Sequence, residues 1–436
     1  MALGYRARGP RARESQRPDS RLPSLTGLRF VAALSVFGFH LYVVGLFGGS
    51  TQHTLSWLLG PGGGVGVSFF FILSGFVLAW SVRATDTARK FLRRRFFKIW
   101  PAHFVVWLLV AVILVAIAAA PTLFQALTSL FLVQAWVPKS SVFFAVNSPS
   151  WSLSVEAAFY VTFPLLWAWV SRIRAERLWT WSVGMMAAVW CVPLLALALP
   201  ASGPAPAPLH HISDLQFWFI YIFPATRFPE FILGMLLVRI VREGRWIKLG
   251  LWPASALAVA GYFVSAFVPP QIGLVAVSVV PLALLIPAVA TADVAGARTP
   301  WRNRVMVWLG ETSYCFYLIH QLVLQTGKSQ IGLHKTLALG PGIGYTLYIL
   351  ASTIIEARIL YWLVEKPSMR WFAVSRRDRA ARLAAQQAAA QPVAQQPAAA
   401  HDAVLATNGA ATVDVMVADE PRTPQPAGLP SAVEGS

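Results

Sequence analysis

Arg29 and His40 stand eleven positions apart in the apolar run LTGLRFVAALSVFGFH. Eleven residues make close to three turns of an α-helix, so both side chains project from one face, about 16 Å apart along the axis. An ionisable group among apolar neighbours is costly in hydrocarbon and usually faces a protein interior or a water-filled path. The two are therefore expected to look over the same cavity as a functional pair, against the plainer alternative of a satisfied structural histidine.

Further polar groups recur in the same setting. Glu156, in NSPSWSLSVEAAFY, lies about one and a half turns into another apolar helix, where a carboxylate needs a partner or a proton. It is placed either to orient a histidine or to pair with Arg227. In ATRFPEFILG, Arg227 and Glu230 are three apart, the spacing of a local ion pair, and Pro229 is expected to break the helix ladder and open a polar pocket. In LGETSYCFYLIH, Ser313, Tyr317 and His320 follow at i, i+4 and i+7, a polar stripe suited to binding substrate or to structure. The run KFLRRRFFKIWP sets Lys90, Arg93, Arg94, Arg95 and Lys98 before an apolar stretch. It is either a topology anchor or a phosphate clamp, with Arg95 and Lys98 on one helical face. The stretch GPGGGVGVSFFFILSGF lacks the Lys and Ser/Thr ending of a nucleotide loop and is assigned to close helix packing. Cys191 and Cys315 have no metal-ligand spacing and are assigned to packing, so no metal is expected.

The elements that hold these residues follow from composition. With 436 residues, 56% of them hydrophobic and 12% charged, the chain needs lipid to cover its apolar side chains. Ten apolar segments of spanning length are expected, near 27–47, 65–82, 100–120, 151–170, 179–199, 215–238, 250–268, 271–291, 305–325 and 342–364. The stretch 122–137 is too short to count. Basic clusters fall in alternate loops, leaving Lys139, Lys328 and Lys335 on the other side, so ten spans place both termini in the cytoplasm. The formal charge of +18 is thus a topology signal and no sign of nucleic acid. The predicted organisation is an all-α polytopic bundle in the plasma membrane, with lipid as its surroundings. A basic tail covers 1–23, a transmembrane domain 24–374, and an Ala-, Gln- and Pro-rich disordered tail 375–436.

Taken in order, these stretches resemble the acyltransferase 3 family of multi-spanning membrane acyltransferases. The matching pieces are the Arg29 to His40 spacing, FFFILSGF, the basic run ending in Pro101, WSLSVE, RFPEFILG, GETSYCFYLIH and EKP at 365–367. The resemblance implies transfer of an acyl group, commonly acetyl, from acyl-CoA as donor substrate to a hydroxyl of a carbohydrate, surface glycan or glycosylated metabolite, with no bound cofactor. It carries over Arg29 and His40 as the essential pair, and Arg95 with position 98 as the donor motif. Thr26 stands where the family often has Asp, and Lys98 where a second Arg is usual; lysine keeps the charge but loses the bidentate fork.

On that basis His40 is expected to act as general base on the acceptor hydroxyl, with Glu156 holding it in orientation and Arg29 or Arg227 balancing negative charge. A transient acyl-histidine is the alternative. Arg227, Glu230, Ser313, Tyr317 and His320 join Arg95 and Lys98 as substrate-binding candidates. The rival function is a transporter or flippase of a polar lipid or glycan, using the same buried charges as a path.

Overall fold

The computed structural model describes residues 22–82, 86–200, 202–203, 205 and 212–373. Nearly all of the expected basic tail and the whole expected disordered tail lie outside the described residues. No strand occurs among the described residues. The principal helices are α1 (Pro23–Val44), α2 (Gly49–Leu59), α3 (Gly62–Ser81), α4 (Ala88–Ala116), α5 (Leu123–Leu130), α6 (Trp151–Val170), α7 (Leu178–Ala196), α8 (Pro224–Arg242), α9 (Leu251–Phe267), α10 (Ala276–Val294), α11 (Arg304–Ile331) and α12 (Leu339–Leu360).

Among the described residues eight helical stretches are long and apolar enough to cross a membrane, making this a polytopic helical bundle. The other two expected spans also form helices. One, α9, has 17 residues and so covers only about 25 Å. The other, α11, has 28 residues but is too polar for the apolar criterion. Its residues 312–321 are all buried, so protein and not lipid surrounds it. The neighbours α1 and α12 pack along it. The first turn of α1 is capped from α10, where Asp293 accepts from the Ser24 backbone N–H at 2.9 Å and from its hydroxyl at 2.5 Å.

The helix α4 begins twelve residues before the expected span, because Thr87 caps it and the basic run forms its first turns. Beyond it, Thr122 and Gln125 form a capping box on α5, whose eight residues cannot cross a bilayer. The chain then folds back against the bundle. The Ser129 carbonyl meets His103 Nε2, midway along α4, at 3.1 Å, the Trp218 indole donates to the Ala135 carbonyl at 2.9 Å, and Asn147 donates to the Leu318 carbonyl at 3.0 Å. Segment 122–147 therefore stays with the bundle, its carbonyls at Ser129 and Ala135 taken up by protein donors.

The expected break at Pro229 does not occur. Pro229 lies inside α8 only five residues after its start, so its missing N–H forfeits one bond to the first turn. The chain breaks earlier, where the π turn Trp218–Ile222 ends and Phe223 becomes extended before Pro224.

Glycine lets α3 and α8 cross with backbones nearly touching. A Cβ on Gly75 would lie 1.9 Å from the Phe231 carbonyl oxygen, and one on Gly234 would lie 2.0 Å from that of Ile72. Gly234→Leu is expected to lower the thermal midpoint of the detergent-purified protein, at a cost of at least about 1–3 kcal/mol. Gly184→Leu on α7, where a Cβ meets nothing within 4 Å, is the matched control and leaves the midpoint unchanged. Equal melting of the two variants would refute the crossing.

Candidate active site

Two cavities lie along α1 and α11. The wider, of about 550 Å³, is lined by His40, Trp57, Trp151, Tyr221, Tyr317 and Gln321 among others, and no Asp, Glu, Lys or Arg lines it among the described residues. Its histidine is paired. His40 Nδ1 lies 2.9 Å from the Val36 carbonyl and 3.1 Å from Nε2 of His320, and the two rings meet edge-on with centroids 4.8 Å apart. His320 is fully buried, and its own Nδ1 lies 2.7 Å from the Tyr317 carbonyl.

The narrower cavity, of about 120 Å³, gathers the charges: Arg29 from α1, Arg95 and Lys98 from α4 and Glu156 from α6. Tyr160 donates to Glu156 at 3.2 Å, and Glu156 lies within electrostatic reach of Arg29, Arg95 and Lys98. The Arg95 guanidinium lies over the Phe91 and Tyr160 rings at 5.6 and 5.9 Å, and its buried Nε has no hydrogen-bond partner among the described residues. An unpartnered buried donor beside surplus positive charge is a place for an anionic or strongly accepting guest. Lys98 pairs with Glu365, which closes the π turn Tyr361–Glu365, and Cys315 Sγ lies 3.1 Å from the same carboxylate. Other cations of the run are engaged elsewhere: Arg94 binds Asp86 at 2.8 Å and Arg93 donates to the Phe372 carbonyl at 2.7 Å.

Val67 and Tyr317 line both cavities. The Tyr317 hydroxyl is fixed there by Ser152 Oγ at 2.8 Å and the Pro149 carbonyl at 3.3 Å. Ser313 lines the narrow cavity while donating to the Gly310 carbonyl at 2.8 Å.

Several expectations change. Arg29 and His40 do share one helix, but each faces a different cavity. Glu156 does not orient His40; that contact belongs to His320. Glu156 does not pair with Arg227 either. Arg227 and Glu230 form the local ion pair, with Nε and Oε2 2.9 Å apart, fully buried and lining neither cavity. Arg227 also donates to Ser68 at 3.1 Å and lies over Phe71 at 5.0 Å, which makes it a brace between α8 and α3. Sequence reasoning passed over Tyr160, which sits one helical turn after Glu156 and was detectable by that i, i+4 spacing. It also missed the engagement of Lys98 with Glu365 and of His103 with Ser129, for which distance along the chain leaves no signal.

The Acyltransferase domain family model of the acyltransferase 3 type matches residues 22–361. Acyltransferase MdmB of Streptomyces mycarofaciens is 42% identical over 360 residues, covering 80% of this chain and 92% of that protein. Peptidoglycan O-acetyltransferase OatA of Listeria monocytogenes is 23% identical over 383 residues, covering 79% of this chain and 55% of that protein. The putative peptidoglycan O-acetyltransferase YrhL of Bacillus subtilis is 25% identical over 375 residues, covering 79% and 54%. This chain thus spans about half the length of the latter two. No solved structure matches. With most of the described helices inside the matched range, the chain belongs to the acyltransferase 3 family.

Proposed function

We propose that the protein is a multi-pass O-acyltransferase of the plasma membrane that moves an acyl group, acetyl in the simplest case, from acyl-CoA to a hydroxyl of a sugar-bearing acceptor. The observation that carries this reading is the meeting of a narrow cationic cavity and a wide uncharged one at Val67 and Tyr317. Such a pair suits an anionic donor on one side and a neutral acceptor on the other.

In this reading both termini and the basic end of α4 are cytoplasmic. The narrow cavity has room for the thioester end of the donor and none for its nucleotide, so the phosphates lie at the mouth, held by Arg95 and Lys98. Arg29 and Glu156 complete the donor side. Arg29 lies about 16 Å along the helix from His40, too far for both to touch one carbonyl group. Its charge therefore serves the donor, while the Tyr317 hydroxyl, whose one hydrogen is held by Ser152 and Pro149, marks the junction between the two cavities. His40 takes the proton of the acceptor hydroxyl, whose oxygen attacks the thioester carbonyl. The C–S bond breaks, and the departing CoA thiolate takes the proton back from the imidazolium.

The acceptor class follows from the wide cavity. Aromatic faces and neutral polar groups line it, the pattern of a pocket for a neutral, partly apolar molecule of moderate size. A glycosylated metabolite fits that lining better than a polymer bearing carboxylates, which would find no cation there. OatA and YrhL are named for peptidoglycan, so a surface glycan is the second acceptor to assay.

In a transfer assay with labelled acetyl-CoA, His40→Ala is expected to lose at least about 100-fold in rate while remaining folded and membrane-inserted. Retained turnover refutes its role as base. Arg95→Ala is expected to raise the donor KM about tenfold, the value of one charge-assisted hydrogen bond, with the acceptor KM unchanged. Calorimetric titration of the purified protein with CoA tests the donor, since absence of binding would overturn acyl-CoA as the substrate of the narrow cavity.

A further inference from the structure

We infer that His320 is a positioning residue that holds the Nδ1–H of His40 and so leaves Nε2 of His40 as the basic atom facing the wide cavity. The inference rests on the proposed role of His40 as base.

The hydrogen bonds determine where the protons are. A backbone carbonyl only accepts, so His40 Nδ1, 2.9 Å from the Val36 carbonyl, carries a hydrogen, and so does His320 Nδ1, 2.7 Å from the Tyr317 carbonyl. In the neutral ring His320 Nε2 is then a lone pair, and at 3.1 Å it shares the one Nδ1–H of His40 with the Val36 carbonyl in a three-centre bond. A proton on His320 Nε2 would set two N–H groups against one another at that distance. The Val36 carbonyl uses one lone pair for the backbone N–H of residue 40 and the other for the ring, so His320 is the second acceptor on that hydrogen and the one that lies outside the helix.

The opposite edge of His40 is open. No hydrogen bond reaches its Nε2 among the described residues, the atom is not among the enclosed unpartnered ones, and the residue lines the wide cavity. His320 is itself fully buried and nearly parallel to Phe316, with an interplanar angle of 11°. An acceptor on one ring nitrogen stabilises the imidazolium that forms when the other takes a proton, which makes that nitrogen a stronger base. The proton of the acceptor hydroxyl therefore goes to His40 Nε2. His320 takes none and touches neither substrate.

The titratable groups facing His40 are His320 and Tyr317 from α11, Tyr42 from α1 and Tyr221 from the π turn before α8; α2 and α3 present none to the cavity. A phenol keeps its proton throughout the acid range, so an acidic limb in the rate profile belongs to the histidine pair.

The test is a pair of substitutions in the full-length protein. His320→Phe keeps a ring against Phe316 and removes the acceptor, whereas His320→Gln restores one through its side-chain carbonyl. His320→Phe is expected to lower kcat about tenfold, a part of the 10²–10⁴ supplied by a positioned base. Donor and acceptor KM stay unchanged, and the acidic limb of kcat/KM moves to lower pH. His320→Gln regains most of the rate and the original limb. Nitrogen-15 NMR of histidine-labelled protein, with His40 assigned by its loss in His40→Asn, should show a protonated Nδ1 in the native protein and a changed proton distribution in His320→Phe. A native limb and native His40 signals in His320→Phe overturn the inference, as does an equal loss in both variants that follows the amount of folded protein. Should His40→Ala itself remain active, the base assignment falls and not merely its positioning.

Discussion

The contact between α1 and α11 is the constraint on which the rest of the bundle depends. At one end a Cβ on Gly310 would stand 1.9 Å from the Thr26 carbonyl oxygen, and at the other His40 and His320 touch ring to ring. Between these points Phe30 and Phe37 from α1 pack on Phe316, with centroids 5.4 and 5.8 Å apart. Helices held this closely along their length place Arg29 and His40 at fixed depths. The remaining helices then need only supply walls: α3 behind α1, α4 and α6 around the narrow cavity, and the folded-back segment, through Phe144, at the wide one.

Enclosure explains how so polar a helix as α11 can stand inside the bundle. A helix facing lipid gains nothing from Ser313, Tyr317 or His320, because hydrocarbon cannot accept or donate for them. Inside the bundle each finds a partner: a backbone carbonyl for Ser313, Ser152 for Tyr317, and His40 for His320. Arg227 and Glu230 solve the same problem by pairing with each other. Two chemically similar sets of buried charges thus have different parts, one bracing helices and one lining cavities.

What could be seen in the sequence was whatever is local. The helical class, the spacing that puts Arg29 and His40 on one face, and the i, i+3 pair of Arg227 and Glu230 all arise within a few turns. The partition of Arg29 and His40 into separate cavities does not, since it depends on Val67 from α3 and Tyr317 from α11 standing between them. The meeting of His40 with His320, 280 positions away, and of Lys98 with Glu365, 267 away, likewise needs the assembled bundle. The Pro229 reading failed for a geometric reason: how much a proline costs depends on where the helix begins, and this helix begins at Pro224.

The wall of Val67 and Tyr317 has a meaning beyond the chemistry on either side of it. Two cavities open to opposite faces of a bilayer would thin its insulating layer, about 30 Å of hydrocarbon elsewhere, to little more than the width of side chains where they meet. Were the cavities joined, ions and protons would leak and the membrane potential would fall. Valine offers no foothold to an ion, and a tyrosine hydroxyl tied to Ser152 and Pro149 is not free to pass protons along a file of water. The same few atoms that bring the cavities together would also keep such a membrane electrically tight.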